Sequence, residues 1–324
     1  MREEPPEVTE RGALVNGPTR VLYVGGLIRS GSTLLDRILG ELPGYVAVGE
    51  LCYIWEHSVR LNHNCGCGEP FSGCAFWSRV GETAFGGWSA LDINEVIDLQ
   101  RSLDPTRNIP RLLAPQVAGS FSTRLRRYSG LLSRLFAAIA EVAGARVVVD
   151  SSKHAGPAYV LRQTPGIDLR VLHLVRDPRG VAHSLQKTVR RPERDGFEDF
   201  MSTWPPRTVA RRWLTTNLLI SGLQQFGVSV ERIRYEDMVS DPVQELTRTA
   251  ASLDQALEPG ALDFIADGAV TLPPAHTLDG NPMRFTTGPM QLRADEAWRV
   301  GLPASDRRLV ETITWPLRRR YDYL

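Results

Sequence analysis

A chain of 324 residues with 42% hydrophobic content is long enough for one large α/β domain, or for such a domain carrying a helical insertion. A formal net charge of +1 argues against a nucleic-acid-binding surface, and no apolar run is long enough to span a bilayer, so neither nucleic acid nor membrane is expected as a partner. The acidic start, Met1-Arg-Glu-Glu, has no signal-peptide core, and a soluble, cytoplasmic protein is expected.

Residues 1–19 are polar and contain prolines, which reads as a disordered tail ahead of a single domain over 20–324. The apolar run from Val21 feeds a Gly- and Ser-rich turn, Arg29-Ser30-Gly31-Ser32-Thr33, and then a helical pattern expected over Asp36 to Leu42. A turn of this kind aims backbone N–H groups and the positive end of a helix dipole at one point, where a phosphate or sulfate can sit. Gly26 and Gly31-Ser32-Thr33 have Walker A spacing, but Ser32 stands where the phosphate-gripping lysine should be, and the nearest cation is Arg29. The plain alternative is a strand-turn-helix corner with no ligand.

Tyr45 to Val48 reads as a second strand ending in Gly49-Glu50. Residues 52–90, rich in Gly, Cys and Trp, read as an irregular inserted loop, and Asp92 to Ala143 as helix interrupted near Pro105 and Pro110. Arg146 to Asp150 is a strand, Pro157 to Gln163 a helix and Leu169 to Val175 a strand. Asp177-Pro178 supplies an N-cap and first-turn proline for the next helix, so Arg176 stands at a strand end and Ser184 about two turns into that helix. A helix-rich segment around Trp204 and Trp213, a last strand over Val228 to Tyr235, two helices and an extended tail complete the chain. The alternation of strands and helices predicts a P-loop-NTPase-like α/β fold, a central parallel sheet flanked by helices, with the 52–145 stretch as insertion and lid over an acceptor.

Two anion sites on strand-helix junctions, in this order, resemble the sulfotransferases that use 3′-phosphoadenosine 5′-phosphosulfate (PAPS) as co-substrate. In that family an Arg/Lys-Ser-Gly-Ser/Thr-Thr loop holds the 5′-phosphosulfate, which Arg29-Ser30-Gly31-Ser32-Thr33 matches. An Arg with a Ser eight residues later holds the 3′-phosphate, which Arg176 and Ser184 match. The likeness runs from about Val21 to Trp298 and is nearest to the branch with Arg in the loop. It implies transfer of a sulfonate to the hydroxyl of a small-molecule acceptor, without a metal, with Arg29, Glu50 and Lys153 as catalytic residues. Glu50, 21 residues after Arg29, matches the interval of the tyrosyl-protein branch's catalytic glutamate, and His154 is an alternative base of the kind that the phenol branch uses. Lys153 matches a lysine that contacts the transferring group; all 38 basic residues except Lys153 and Lys187 are arginine, so a surviving lysine hints at a need for lysine. Two weaker carry-overs are Tyr235, near the nucleotide or in the core, and Arg284, in a late loop resembling one that closes over PAPS, where it would reach the 3′-phosphate or the adenine edge or be a surface charge.

Cys52, Cys65, Cys67 and Cys74 fall in one segment. They read as reduced thiols in a lid or, alternatively, as a zinc site in which Cys52 completes the tetrahedron. Against the sulfotransferase stand a kinase with a degenerate Walker A loop, for which Val147 to Asp150 would be the Walker B strand serving Mg²⁺, and an inactive nucleotide-binding module.

Overall fold

The computed structural model describes residues 17–114, 119–191, 199–200, 202–254 and 256–324. The expected tail falls mostly outside them, except that its last residue, Thr19, already begins the first strand. Five parallel strands form the central sheet: β1 (Thr19–Gly25), β2 (Tyr45–Ala47), β3 (Val147–Lys153), β4 (Ile167–Val175) and, after a short ribbon of β5 (Arg190–Arg191) and β6 (Asp199–Phe200), β7 (Ser229–Arg234). Their spatial order is β2-β3-β1-β4-β7. β1 is central and buried on both faces, so it reads as an unbroken apolar run whose side chains nevertheless alternate. Val21 and Tyr23 join one core, while Leu22 and Val24 join the other.

The first face is covered by α5 (Gly119–Ala143), which contributes Leu125, Tyr128 and Phe136, and by the preceding segment with its buried Trp55 and Trp77. That segment is not the irregular loop expected over 52–90. It contains a π-helical stretch, Ile54–Arg60, and α2 (Ala75–Phe85), followed by α3 (Ile93–Leu103) and the short α4 (Ile109–Leu113). Burial of its tryptophans, rather than local propensity, orders it. α1 (Ser32–Gly40) and the C-terminal strands cover the second face, where Leu35, Ile38 and Leu39 meet Met238 and Val270.

α1 begins four residues earlier than its apolar periodicity announces, because Gly31 caps it in the left-handed region at φ +93°. α6 (Ala155–Arg162), α7 (Pro178–Gln186) and α8 (Pro206–Gly222) lie close to expectation, as do the paired helices α9 (Tyr235–Ser240) and α10 (Pro242–Ser252). The tail is not extended. After β8 (Ile265–Ala266), β9 (Ala269–Leu272) and β10 (Gly288–Gln291) it forms the one-turn α11 (Trp298–Gly301) and the long α12 (Ala304–Arg320). Pro316 inside α12 hides this helix from propensity, but Val310 and Leu317 pack with Trp213 of α8 in a third core. Among the described residues no helix is long and apolar enough to cross a membrane.

Candidate active site

A cleft of about 560 Å³ opens at the carboxyl ends of the strands. Taken across the sheet from β2 to β7, each strand end delivers one lining residue: Glu50, Lys153, Arg29, Arg176 and Tyr235. Neighbouring strands lie about 4.8 Å apart, so the row is roughly 19 Å long. Chain connections leave β1 toward β2 and leave β4 toward β7, which puts Arg29 and Arg176 on either side of the topological switch point where α/β proteins bind ligands.

Two members of this row sit on strained backbone. Seven described non-glycine residues have positive φ; five are Asn or Asp, which tolerate it, and the other two are Arg29 and Lys153, each at φ +68°. Such strain costs about 1–3 kcal/mol and persists only where the surroundings impose it. At Arg29 the surroundings include Arg176, whose guanidinium donates to the Arg29 carbonyl at 2.8 Å. At Lys153 the cause is a β-bulge. Tyr23 pairs with Asp150 but Gly25 pairs with Lys153, so β3 spends one residue more than β1 over the same span. The buried Asp150 holds the bulge by accepting from the Ser152 N–H at 2.9 Å and from its hydroxyl, and it also accepts from the Leu51 N–H at 3.4 Å, next to Glu50.

At the β2-β3 end of the row, Lys153 Nζ forms an ion pair with Glu50 Oε1, and both side chains are buried. A late loop packs against this pair. Glu50 N–H donates to the Leu278 carbonyl at 2.8 Å, the Asn281 N–H to the Thr33 hydroxyl at 3.4 Å, and a Cβ at Gly280 would stand only 2.8 Å from Glu50 Oε1. His154 opens onto the same region and accepts or donates at 3.2 Å with the Tyr53 hydroxyl. Its side chain keeps solvent exposure, and desolvation and then the charges of Lys153 and Arg212 act to lower its pKa. Tyr53 stacks on His57, itself paired with Asp279.

At the β1-β4 end the described residues bring together two guanidiniums, of Arg29 and Arg176, and the carboxylate of Asp295. Arg29 Nε donates to Ser184 Oγ at 2.9 Å, so the Arg29 head lies with the Arg176–Ser184 pair rather than apart from it. Burial and then the Arg176 charge push the Arg29 pKa down, while Asp295 opposes the shift. Asp295 accepts from Arg176 at 2.9 Å, and Arg176 lies 4.5 Å above the Tyr235 ring. A Cβ at Gly31 would stand 2.6 Å from that ring, so only glycine lets the turn pass so close to the tyrosine.

Of the residues singled out in the sequence, the cleft gathers Arg29, Gly31, Ser32, Thr33, Glu50, Lys153, Arg176, Ser184 and Tyr235, and also His154. Ser30 is buried and does not line it. Arg284 is fully buried elsewhere: it donates to the carbonyls of Thr277 at 2.9 Å and Asn64 at 2.8 Å, so it ties two loops together instead of reaching a nucleotide. Asp150 organises the bulge and lines a separate small cavity with Leu51, Gln100 and Tyr128 rather than the cleft, so it does not stand where the kinase reading needs its Mg²⁺ ligand. Among the described residues of the 52–145 segment, Tyr53 and His57 line the cleft, while Trp55, Trp77, Leu125 and Phe136 belong to the core. Cys52 is separated from the other cysteines, with its N–H on Ser152 Oγ at 2.9 Å. Sequence reasoning missed Tyr53 and His57, which sit in short helical turns, and Asp279 and Asp295, which sit in loops; single polar residues in such places offer no signal by which to find them.

No family model matches the chain, and no curated protein matches it. Among solved structures it resembles the sulfotransferase domain from the curacin biosynthetic pathway, with 18% identity over 93% of this chain and 99% of that one and a TM-score of 0.45. The sulfotransferase domain of the Synechococcus PCC 7002 olefin synthase matches with 19% identity over 94% and 98% at a TM-score of 0.43. Sulfotransferase STF9 from Mycobacterium avium matches with 12% identity over 77% and 68% at 0.42. These scores are low, and the functional argument rests on the cleft itself.

Proposed function

We propose that the chain is a sulfotransferase that moves a sulfonate group from PAPS to the hydroxyl of a small-molecule acceptor. The observation that carries this reading is the single row of strand ends, with the guanidiniums of Arg29 and Arg176 gathered at Ser184 at one end and the Glu50–Lys153 ion pair at the other. A donor with anionic groups at two ends fits such a row. The N–H groups of the turn from Arg29 to Thr33 and the start of α1 cradle the 5′-phosphosulfate. Arg176 and Ser184, with Arg29 beside them, take the 3′-phosphate, and Tyr235 supplies an aromatic surface next to it.

In the reaction the acceptor oxygen forms a bond to sulfur while the bond from sulfur to the bridging oxygen breaks, and its electron pair stays on the departing phosphate. Glu50 takes the acceptor proton. Lys153 follows the charge onto the bridging oxygen. At rest the two neutralise each other, so neither is buried as a lone charge. On transfer, the proton gained by Glu50 and the charge gained by the leaving oxygen release Lys153 toward the latter. The Lys153 backbone, held at positive φ by the bulge, fixes where the ammonium starts from.

Incubating the protein with PAPS carrying labelled sulfonate and a panel of hydroxyl compounds tests the reading. Label appearing in an acceptor with release of the 3′,5′-bisphosphate is the expected result. Label transfer from γ-labelled ATP, with none from PAPS, would replace it by the kinase.

A further inference from the structure

The cysteine-rich segment contributes three members of a second constellation, none of which lines the cleft. Cys65, Cys67, Cys74 and His276 each point one donor atom inward, and these four atoms all lie within 4.8 Å of one another. Cys67 Sγ is 3.8 Å from Cys74 Sγ; His276 Nδ1 is 3.3 Å from Cys74 Sγ and 3.8 Å from Cys65 Sγ. With Zn–S near 2.3 Å and Zn–N near 2.0–2.1 Å, a tetrahedral S₃N site has S···S edges of about 3.8 Å and S···N edges of about 3.5 Å. We propose that these four residues form a structural zinc site, three thiolates and one imidazole, that staples the cysteine-rich segment to the late loop.

The surroundings are built for those positions. A Cβ at Gly66 would meet the Thr277 hydroxyl at 2.5 Å and the Ala275 carbonyl at 2.6 Å, so the residue between the first two cysteines must be glycine for the two segments to come this close. Gly66 N–H then donates to the Thr277 carbonyl at 2.9 Å. A tight turn presents Cys65, with the Gly68 N–H on its carbonyl at 2.9 Å and Gly68 at φ +96°. Cys74 is fixed as the residue capping α2. The His276 ring stacks on Phe76 at 4.9 Å, and its carbonyl accepts from the Trp77 indole at 3.0 Å. Cys65 and Cys74 are buried while Cys67 and His276 keep partial exposure, which gives a dry site with an entry side. All four cysteines are free thiols. Thiolate-rich tetrahedral sites with all four positions filled by protein are structural rather than catalytic.

Cys52 is not a member, contrary to what adjacency in sequence suggests. The fourth ligand comes from a residue 202 positions away from Cys74, immediately before the loop that carries Leu278 and Gly280 against Glu50. The metal would thus fix the wall of the cleft without touching a substrate, and the assignment stands whether or not the sulfotransferase reading does.

The test is elemental analysis of the full chain purified under reducing conditions, with zinc the only metal added. About one tightly held zinc per chain is expected, retained in Cys52→Ser and lost in both Cys74→Ser and His276→Ala. Replacing the zinc by cobalt should give thiolate charge-transfer bands and the intense d–d bands of a tetrahedral ion, a readout on the unmutated protein that does not depend on the variants folding. Absence of stoichiometric metal, an octahedral cobalt spectrum, equal zinc loss in Cys52→Ser, or a disulfide between Cys67 and Cys74 in the freshly purified protein would each overturn the proposal.

Discussion

The two ends of the cleft solve opposite electrostatic problems. At the β2-β3 end a carboxylate and an ammonium are buried in contact, so the apo protein is satisfied there and the pair is disturbed only when a proton or charge moves. At the β1-β4 end two guanidiniums crowd together, with Asp295 the carboxylate against them among the described residues, and each guanidinium disfavours the charge of the other, which an incoming anion would relieve. On the proposed reading the first end serves the chemical step and the second serves binding. Substitutions at the two ends should therefore separate into rate effects and affinity effects.

The largest effect is expected at Glu50. Glu50→Gln keeps the shape and a hydrogen bond but removes the proposed base, so the chemical step should slow by on the order of a hundredfold or more with nucleotide affinity close to wild type. The acidic limb of the pH–rate profile should disappear in this variant and persist in His154→Ala; the reverse outcome would assign the base to the histidine. At the other end, Arg176→Ala removes charged hydrogen bonds worth about 1.5–3 kcal/mol each. Affinity for the 3′,5′-bisphosphate should fall about ten- to a hundredfold, and affinity for the 5′-monophosphate much less, in calorimetric titrations. Equal losses for the two nucleotides would break the division between the ends.

Gly31→Ala acts on the shared floor of the row. A left-handed backbone and a Cβ driven into Tyr235, on which Arg176 rests, should destabilise the fold by about 1–3 kcal/mol in denaturant titrations. An unchanged midpoint would mean that the turn can relax. An effect seen in the pH dependence of stability concerns Asp36 on α1, whose carboxyl burial pushes up to about 8 from 3.8. Between those values the folded state holds a proton that the unfolded state has lost, so this group's contribution to stability falls as pH rises. Asp36→Asn should flatten the decline in melting temperature from about pH 4 to about pH 8, and an unaltered slope would contradict the burial argument.

Local chemistry was legible in the sequence, and long-range pairing was not. The strand-turn-helix around Arg29 announced itself because its parts are contiguous, and Arg176 with Ser184 did so because they sit eight residues apart on one strand-helix junction. Glu50 and Lys153 were each picked out, but their ion pair depends on β2 lying beside β3 in parallel register, which nothing near either residue encodes. The left-handed conformation of Lys153 comes from a bulge, a property of two strands together. Arg284 misled because one arginine looks like another in so arginine-rich a chain, and only burial shows that it serves loop carbonyls. Cys52 was grouped with its sequence neighbours, whereas the atom that completes their cluster belongs to His276, brought in by the contact of Gly49 with Leu278.

The central claim is that one cleft reads a ligand with anions at two ends, and it is tested most directly by titrating the unmodified protein with adenosine 3′,5′-bisphosphate, adenosine 5′-monophosphate and ATP with Mg²⁺ under identical conditions. The account predicts that the bisphosphate binds at least about tenfold more tightly than the monophosphate, the equivalent of one charged contact, and more tightly than ATP. Indifference to the 3′-phosphate, or a preference for ATP with Mg²⁺, would contradict it.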